Sequence, residues 1–231
     1  MKTKQPQTAS MNIRIDDLST IQPITDNQQL VFDAWRDGDH LALIGTAGTG
    51  KTFLGMYLAL EEILDRSTSS EKLIIVRSVV PTRDVGYLPG SLEEKLEAFT
   101  GPYRSAAAEM FEDNKAYEKL IHNEYLSFES TSYIRGITFD HSIILVDECQ
   151  NLNFHELDSV ITRVGEGTKI IFSGDYRQTD FKSDRDKKGI NTFLQILDQM
   201  KDFSVVTFSW EDIVRSDFVR DYIMTKEFMG L

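Results

Sequence analysis

Residues 41–55 read LALIGTAGTGKTFLG. Gly45, Gly50, Lys51 and Thr52 satisfy the pattern G-x-x-x-x-G-K-[ST], with a strand-like LALI before it and a helix-like TFLGMYLALEEIL after it. A chain leaving a strand for a helix must turn sharply while aiming several backbone N–H groups into one concavity. Gly45, Gly48 and Gly50 permit the backbone angles and the close approach that this needs, and Thr46, Ala47 and Thr49 complete the loop. Phosphate oxygens suit such a concavity, because the helix start adds unpaired donors and the positive end of its dipole. Lys51 would then reach the β- and γ-phosphates of a nucleoside triphosphate, and the Thr52 hydroxyl would hold Mg²⁺. The bland alternative is a glycine-rich turn carrying an exposed lysine, and the two flanking patterns argue against it.

The rest of the chain suits one large α/β domain. Of its 231 residues, 41% are hydrophobic and 27% charged, which is ordinary for a globular protein. Cys149 is the single cysteine and has no intramolecular partner, and the polar start MKTKQPQTASMNIRIDD has no apolar signal core. A cytoplasmic setting is expected, without a membrane span. The net charge of −12, from 25 Lys and Arg against 37 Asp and Glu, has the wrong sign for coating nucleic acid through the overall field. Any nucleic-acid groove must therefore be local. In the basic window 176–189, Arg177, Lys182, Arg185, Lys187 and Lys188 outnumber Asp180, Asp184 and Asp186 by two, and a solvated loop explains it equally well.

Near-continuous apolar runs at 41–45, 72–80, 142–148, 168–175 and 203–209 read as strands buried on both faces of a parallel sheet. Helical patterns fill the gaps at 26–36, 51–66, 91–123 with interruptions, 154–164, 189–201 and 211–227. This succession predicts an open, mainly parallel sheet with helices on both faces. Residues 1–20 read as a polar N-terminal arm, and 81–136 is the place where a subdomain could be inserted.

Two further stretches carry chemistry. In SIILVDECQN an apolar strand ends in Asp147 and Glu148. A carboxylate at that edge, beside the phosphate loop, is where Mg²⁺ and an attacking water must be handled, so Asp147 is the expected magnesium partner and Glu148 the expected base. In IIFSGDYRQTD a second buried strand runs into Gly174-Asp175 and Gln178, polar groups placed to sense a γ-phosphate. Cys149 reads as a small buried filler, since no activating base is placed beside it.

Taken in order, GTAGTGKT, RSVVPTRDVGYLPGSLEEKL, YIRGITFDHSIILVDECQN, GDYRQTDF and WEDIVRSDFV resemble the PhoH-like family of P-loop ATPases, related to the first motor domain of superfamily 1 helicases. The resemblance runs over about residues 22–225, and Val85 to Gly90 with Glu94 and Lys95 is its most distinctive block. Ser78 departs from the proline common after Arg77, and Cys149 from the usual alanine. The resemblance implies a RecA-like fold, Mg²⁺-dependent ATP hydrolysis and action on RNA or single-stranded nucleic acid. It is typical of compact phage-encoded members without a PIN nuclease segment, which would place the protein in the host cytoplasm. An ATP-dependent switch or assembly protein with no motor activity is the rival reading.

Gln28 has two readings. Thr25-x-x-Gln28 before an apolar helix is a capping box, whereas a glutamine upstream of the loop reads adenine in helicase-like folds, and the resemblance favours adenine. The Tyr87-Leu88-Pro89-Gly90 loop and Arg135-Gly136 are candidate nucleic-acid contacts. Phosphoryl transfer also needs positive charge at the γ-phosphate. With no second motor domain expected, Arg163 or Arg215 of a neighbouring subunit in a ring would supply it, and the resemblance implies a hexamer.

Overall fold

In the computed structural model, which describes residues 11–78, 99–131, 133–175 and 184–229, successive strand residues face opposite sides and both sides are covered. Six strands make one sheet: β1 (His40–Gly45), β2 (Lys72–Arg77), β3 (Leu126–Ser130), β4 (Ser142–Asp147), β5 (Lys169–Gly174) and β6 (Phe203–Phe208). Their order is β3-β2-β4-β5-β1-β6, and every neighbouring pair is parallel. Leu41, Leu43, Leu73, Ile75, Ile143, Leu145 and Ile171 point into one core layer, and Ala42, Ile44, Ile74, Val76, Ile144, Val146 and Phe172 into the other. Each fully buried large apolar side chain among them contributes about 1.5–3 kcal/mol. The apolar strand runs in the sequence follow from this double burial.

The first layer is closed by α1 (Asp26–Asp37), α2 (Lys51–Leu64), α3 (Gly101–Met110) and α4 (Ala116–His122). The second is closed by α5 (Phe154–Ile161) and α6 (Asp184–Asp198), and α7 (Asp217–Phe228) follows β6 without burying a residue. Helix α2 is buried over most of its circumference, from Leu54 through Leu64, because it lies beneath the middle of the sheet.

The apolar runs give no sign of β3, and two helices start elsewhere than their patterns predict. LSFES pairs with β2 at the sheet edge, with Leu126 opposite Leu73 and Ser130 opposite Arg77. Residues 99–131 contribute this strand to the main sheet and fully buried Tyr103, Met110 and Leu120 to the first core layer. Helix α6 starts at Asp184 instead of 189, and the expected helix from 211 is a 3₁₀ turn over Trp210–Asp212, capped by Ser209, ahead of α7. The described half of the polar arm is fastened down: Ile13 is buried in the first layer and the Ser19 N–H donates to the Met110 carbonyl.

The connection from β1 to β2 passes toward one edge of the sheet and that from β5 to β6 crosses to the other, so the carboxyl ends of β1, β4 and β5 open on a crevice of the kind that receives ligands. Gly45 ends β1 at φ 132°, and a Cβ there would overlap the Phe208 carbonyl of β6. Gly45→Ala is therefore expected to lower stability by about 2–4 kcal/mol, combining backbone strain with overpacking. Denaturant unfolding checks this, and an unchanged midpoint would show that β1 and β6 can separate there at no cost.

Candidate active site

The loop after β1 folds around the lysine that follows it. Gly48 and Gly50 have φ of 79° and 81°, left-handed values that turn the chain into α2. The Lys51 ammonium donates to the carbonyls of Gly45 (2.8 Å) and Thr46 (2.6 Å) and to Thr49 Oγ1 (3.3 Å), so its charge sits at the helix N-terminus. Burial lowers its pKa, opposed by the nearby carboxylates of Asp175, Glu148 and Asp147. Within the same loop Thr46 Oγ1 is buried with no partner among the described residues. Glycines, helix start, ammonium and free hydroxyl together fit a phosphate chain.

Strand register brings the second half of the site alongside. Asp147 ends β4, and its Oδ1 accepts from the Thr52 hydroxyl at 2.7 Å. Ser173 Oγ of β5 lies 3.3 Å from the same hydroxyl. This all-oxygen donor set suits Mg²⁺, which is held by one or two carboxylates together with substrate phosphates. Among the described residues no group of three or more His, Cys, Asp or Glu side chains forms a metal cage. Glu148 follows at φ 52°, ψ 41°, a left-handed conformation that carries its side chain off the strand line. Its Oε2 accepts from Gln150 Nε2 at 2.6 Å and its Oε1 lies 3.9 Å from the Arg77 guanidinium. Gln150 also accepts from the Asp175 N–H (3.0 Å), tying the β4 edge to the β5 edge.

These groups line a cleft of about 470 Å³ whose far wall is α3, through Pro102, Ser105, Ala106 and Glu109. Lys51, Thr52, Asp147, Glu148, Asp175 and the loop from Ala47 to Gly50 are thus brought together as expected. Gln28 is buried against the loop: its Nε2 reaches the Thr49 carbonyl (3.5 Å) and its Oε1 accepts from the Ile24 N–H (3.0 Å). Only half of the expected capping box forms, since Thr25 Oγ1 accepts from the Gln28 N–H while the glutamine side chain bypasses the Thr25 backbone. Cys149 is buried, and burial pushes its thiol up to about 12, so it is a filler rather than a nucleophile.

The two arginines part company. Arg215 lines the cleft of its own chain, with its Cγ 3.1 Å from where a Gly48 Cβ would stand, whereas a neighbour's site was expected. Arg163 lies just past α5, its Nε donating to the Ser159 carbonyl (3.2 Å), and takes no part in lining the cleft. Arg135 is exposed on the connection between β3 and β4. Gln178, Tyr87, Leu88, Pro89 and Gly90 lie outside the described residues. Arg77, Tyr103, Gln150 and Ser173 were missed as site residues. Arg77 had a legible signal, the last position of an apolar strand, and the register Arg77↔Asp147 puts it on the same face as the carboxylate.

A parallel sheet with a glycine-lysine loop after β1 and a carboxylate pair after β4 defines a P-loop NTPase of RecA-like fold. The family model described as PhoH-like protein matches residues 20–226, and the chain belongs to that family. It is 30% identical over 205 residues to a PhoH-like protein of Mycobacterium leprae, covering 88% of this chain and 58% of that one. It is 32% identical over 204 residues to a PhoH-like protein of Synechocystis, covering 88% and 61%. The chain thus spans about three-fifths of the length of these relatives. Among solved structures, the large terminase of a thermophilic bacteriophage in complex with ADP shares the fold, with a TM-score of 0.52 at 15% identity over 87% of this chain and 49% of that one. Among the described residues no helix is long and apolar enough to cross a membrane.

Proposed function

We propose that the protein hydrolyses ATP in a Mg²⁺-dependent reaction and couples it to RNA or single-stranded nucleic acid. The observation that carries the reading is the 2.7 Å bond joining Thr52 of the phosphate loop to Asp147, with Glu148 beside it in the cleft. Terminase structures of the same fold, described in complex with ADP and with ATP-gamma-S, support a nucleotide in this crevice. Lys51 and the loop N–H groups bind the phosphates, and Gln28, next to the loop, reads the adenine. Thr52 and Asp147 hold the cation, which when bound neutralises charge on the phosphate oxygens. Glu148 Oε1 or Oε2 takes the proton of the attacking water as general base. Asp175 stands at the β5 edge, where it senses the γ-phosphate. Like subunits assemble into a ring, a hexamer in this reading, with Arg163 as the residue offered to a neighbour.

With a net charge of −12, a nucleic-acid contact must rest on local groups such as the exposed Arg135. Addition of single-stranded RNA is expected to raise the ATPase rate, with an effect that falls steeply as salt rises. Arg135→Ala should weaken RNA binding and flatten its salt dependence by about one phosphate contact. Filter binding at several salt concentrations, run beside the ATPase assay, checks both. Failure to hydrolyse Mg-ATP would overturn the enzymatic reading, and indifference to RNA and single-stranded DNA at every salt concentration the coupling.

A further inference from the structure

We propose that Tyr103 is a positioning residue of this site: its phenol fixes the Asp147 carboxylate in the orientation in which Asp147 and Thr52 receive a divalent cation together with nucleotide phosphates. The proposal rests on the nucleotide reading above and adds a residue to it.

A carboxylate at a strand end can rotate about its last bond, and each orientation offers a different oxygen to the cleft. Here both oxygens are committed. Oδ1 accepts from Thr52 and Oδ2 from the Tyr103 hydroxyl, each at 2.7 Å. Asp147 is only 4% exposed, so water is poorly placed to substitute for either donor. Hydrogen bonds to an ionised acceptor are roughly twice as strong as neutral ones, and the one from Tyr103 is short enough to belong to that class. The partner is also rigid. Tyr103 is fully buried on α3, with its ring 5.6 Å from that of Phe128 on β3, and a side chain locked by packing on a helix holds a functional group more tightly than one on a loop.

Beside this pair, Arg77 stands opposite Asp147 in the strand register, with its guanidinium 3.9 Å from Glu148 Oε1. A purely structural tyrosine would need only its ring, since the ring alone fills the space against Phe128. Here the hydroxyl is the part that faces the chemistry, and this separates the two roles experimentally.

Tyr103→Phe keeps the ring and removes one oxygen. Binding of a fluorescent non-hydrolysable ATP analogue is measured against Mg²⁺ concentration and again in EDTA, with thermal melting as the check on folding. The Mg²⁺ concentration for half-maximal binding is expected to rise roughly tenfold, the effect typical of losing a group that orients a metal ligand. Affinity in EDTA should stay unchanged. In an Asp147→Asn background the same Tyr103→Phe change should have no further effect on Mg²⁺ dependence, because the group it orients is gone. That cycle tests the coupling even where Tyr103→Phe lowers the melting temperature. An unchanged Mg²⁺ requirement in Tyr103→Phe overturns the positioning role and leaves the nucleotide reading standing. Absence of Mg²⁺-promoted analogue binding in the parent protein overturns both.

Discussion

Glu148→Gln is expected to lower the rate of ATP hydrolysis about 10²–10⁴-fold, the range supplied by a positioned general base, while ATP binding stays close to that of the parent. The geometry favours so clean a separation. Glutamine keeps an oxygen that can accept from Gln150 Nε2, so the bridge from Glu148 through Gln150 to Asp175 survives the change. The lost ion pair with Arg77 spans 3.9 Å, and the Glu148 side chain is 41% exposed, so its removal costs well under about 1 kcal/mol. Stability and nucleotide affinity therefore have little reason to move, and the missing proton acceptor is what turnover reports. Single-turnover hydrolysis and equilibrium ATP binding on the same preparation check it. Parental turnover would remove Glu148 as the base, and parallel loss of binding would make it a structural carboxylate.

The parts of this site that were legible in the sequence are those in which chemistry and backbone share one short segment. Gly45 to Thr52 announce strand, turn and helix together, and Asp147-Glu148 ends a strand whose six residues are all buried. What escaped depends on strand order. Tyr103 is 44 residues from Asp147, and nothing local in GPYRSAAAEM marks a tyrosine as a carboxylate's partner. β3 escaped for a related reason. An edge strand has one neighbour, and between the buried Leu126 and Ser130 its Ser127, Phe128 and Glu129 are half exposed, so the apolar run that betrays a central strand is missing. In α6, the charged DRDKK opening reads as a solvated loop, although it is the first turn of a helix whose apolar face begins later, at Ile190 and Phe193. Burial of the long runs decided the fold, whereas side-chain partnerships across the sheet needed the register.

Arg215 offers the sharpest departure from sequence expectation and the other large effect. Positive charge placed on the γ-phosphate in the transition state is worth roughly 10³–10⁵ in rate, and Arg215→Ala is expected to lose turnover on that scale with nucleotide binding largely kept. The arginine reaches the cleft because the segment after β6 folds back onto the phosphate loop: the Val214 N–H donates to the Gly48 carbonyl at 3.1 Å, and Ile223 of α7 packs 3.4 Å from the Gly48 Cβ position. A residue delivered this way is expected to act within its own chain. Mixing Arg215→Ala with Lys51→Ala should therefore restore nothing, since the only chain with a working loop lacks its own arginine. In the proposed ring, Arg163→Ala mixed with Lys51→Ala behaves oppositely: a chain with an intact loop borrows Arg163 from its Lys51→Ala neighbour, and activity returns. ATPase assays on each mixture, with sedimentation to follow assembly, read out both results. Recovery in the Arg215 mixture would return that arginine to a neighbour's site, and an active monomer whose specific activity is independent of protein concentration would remove the shared site altogether.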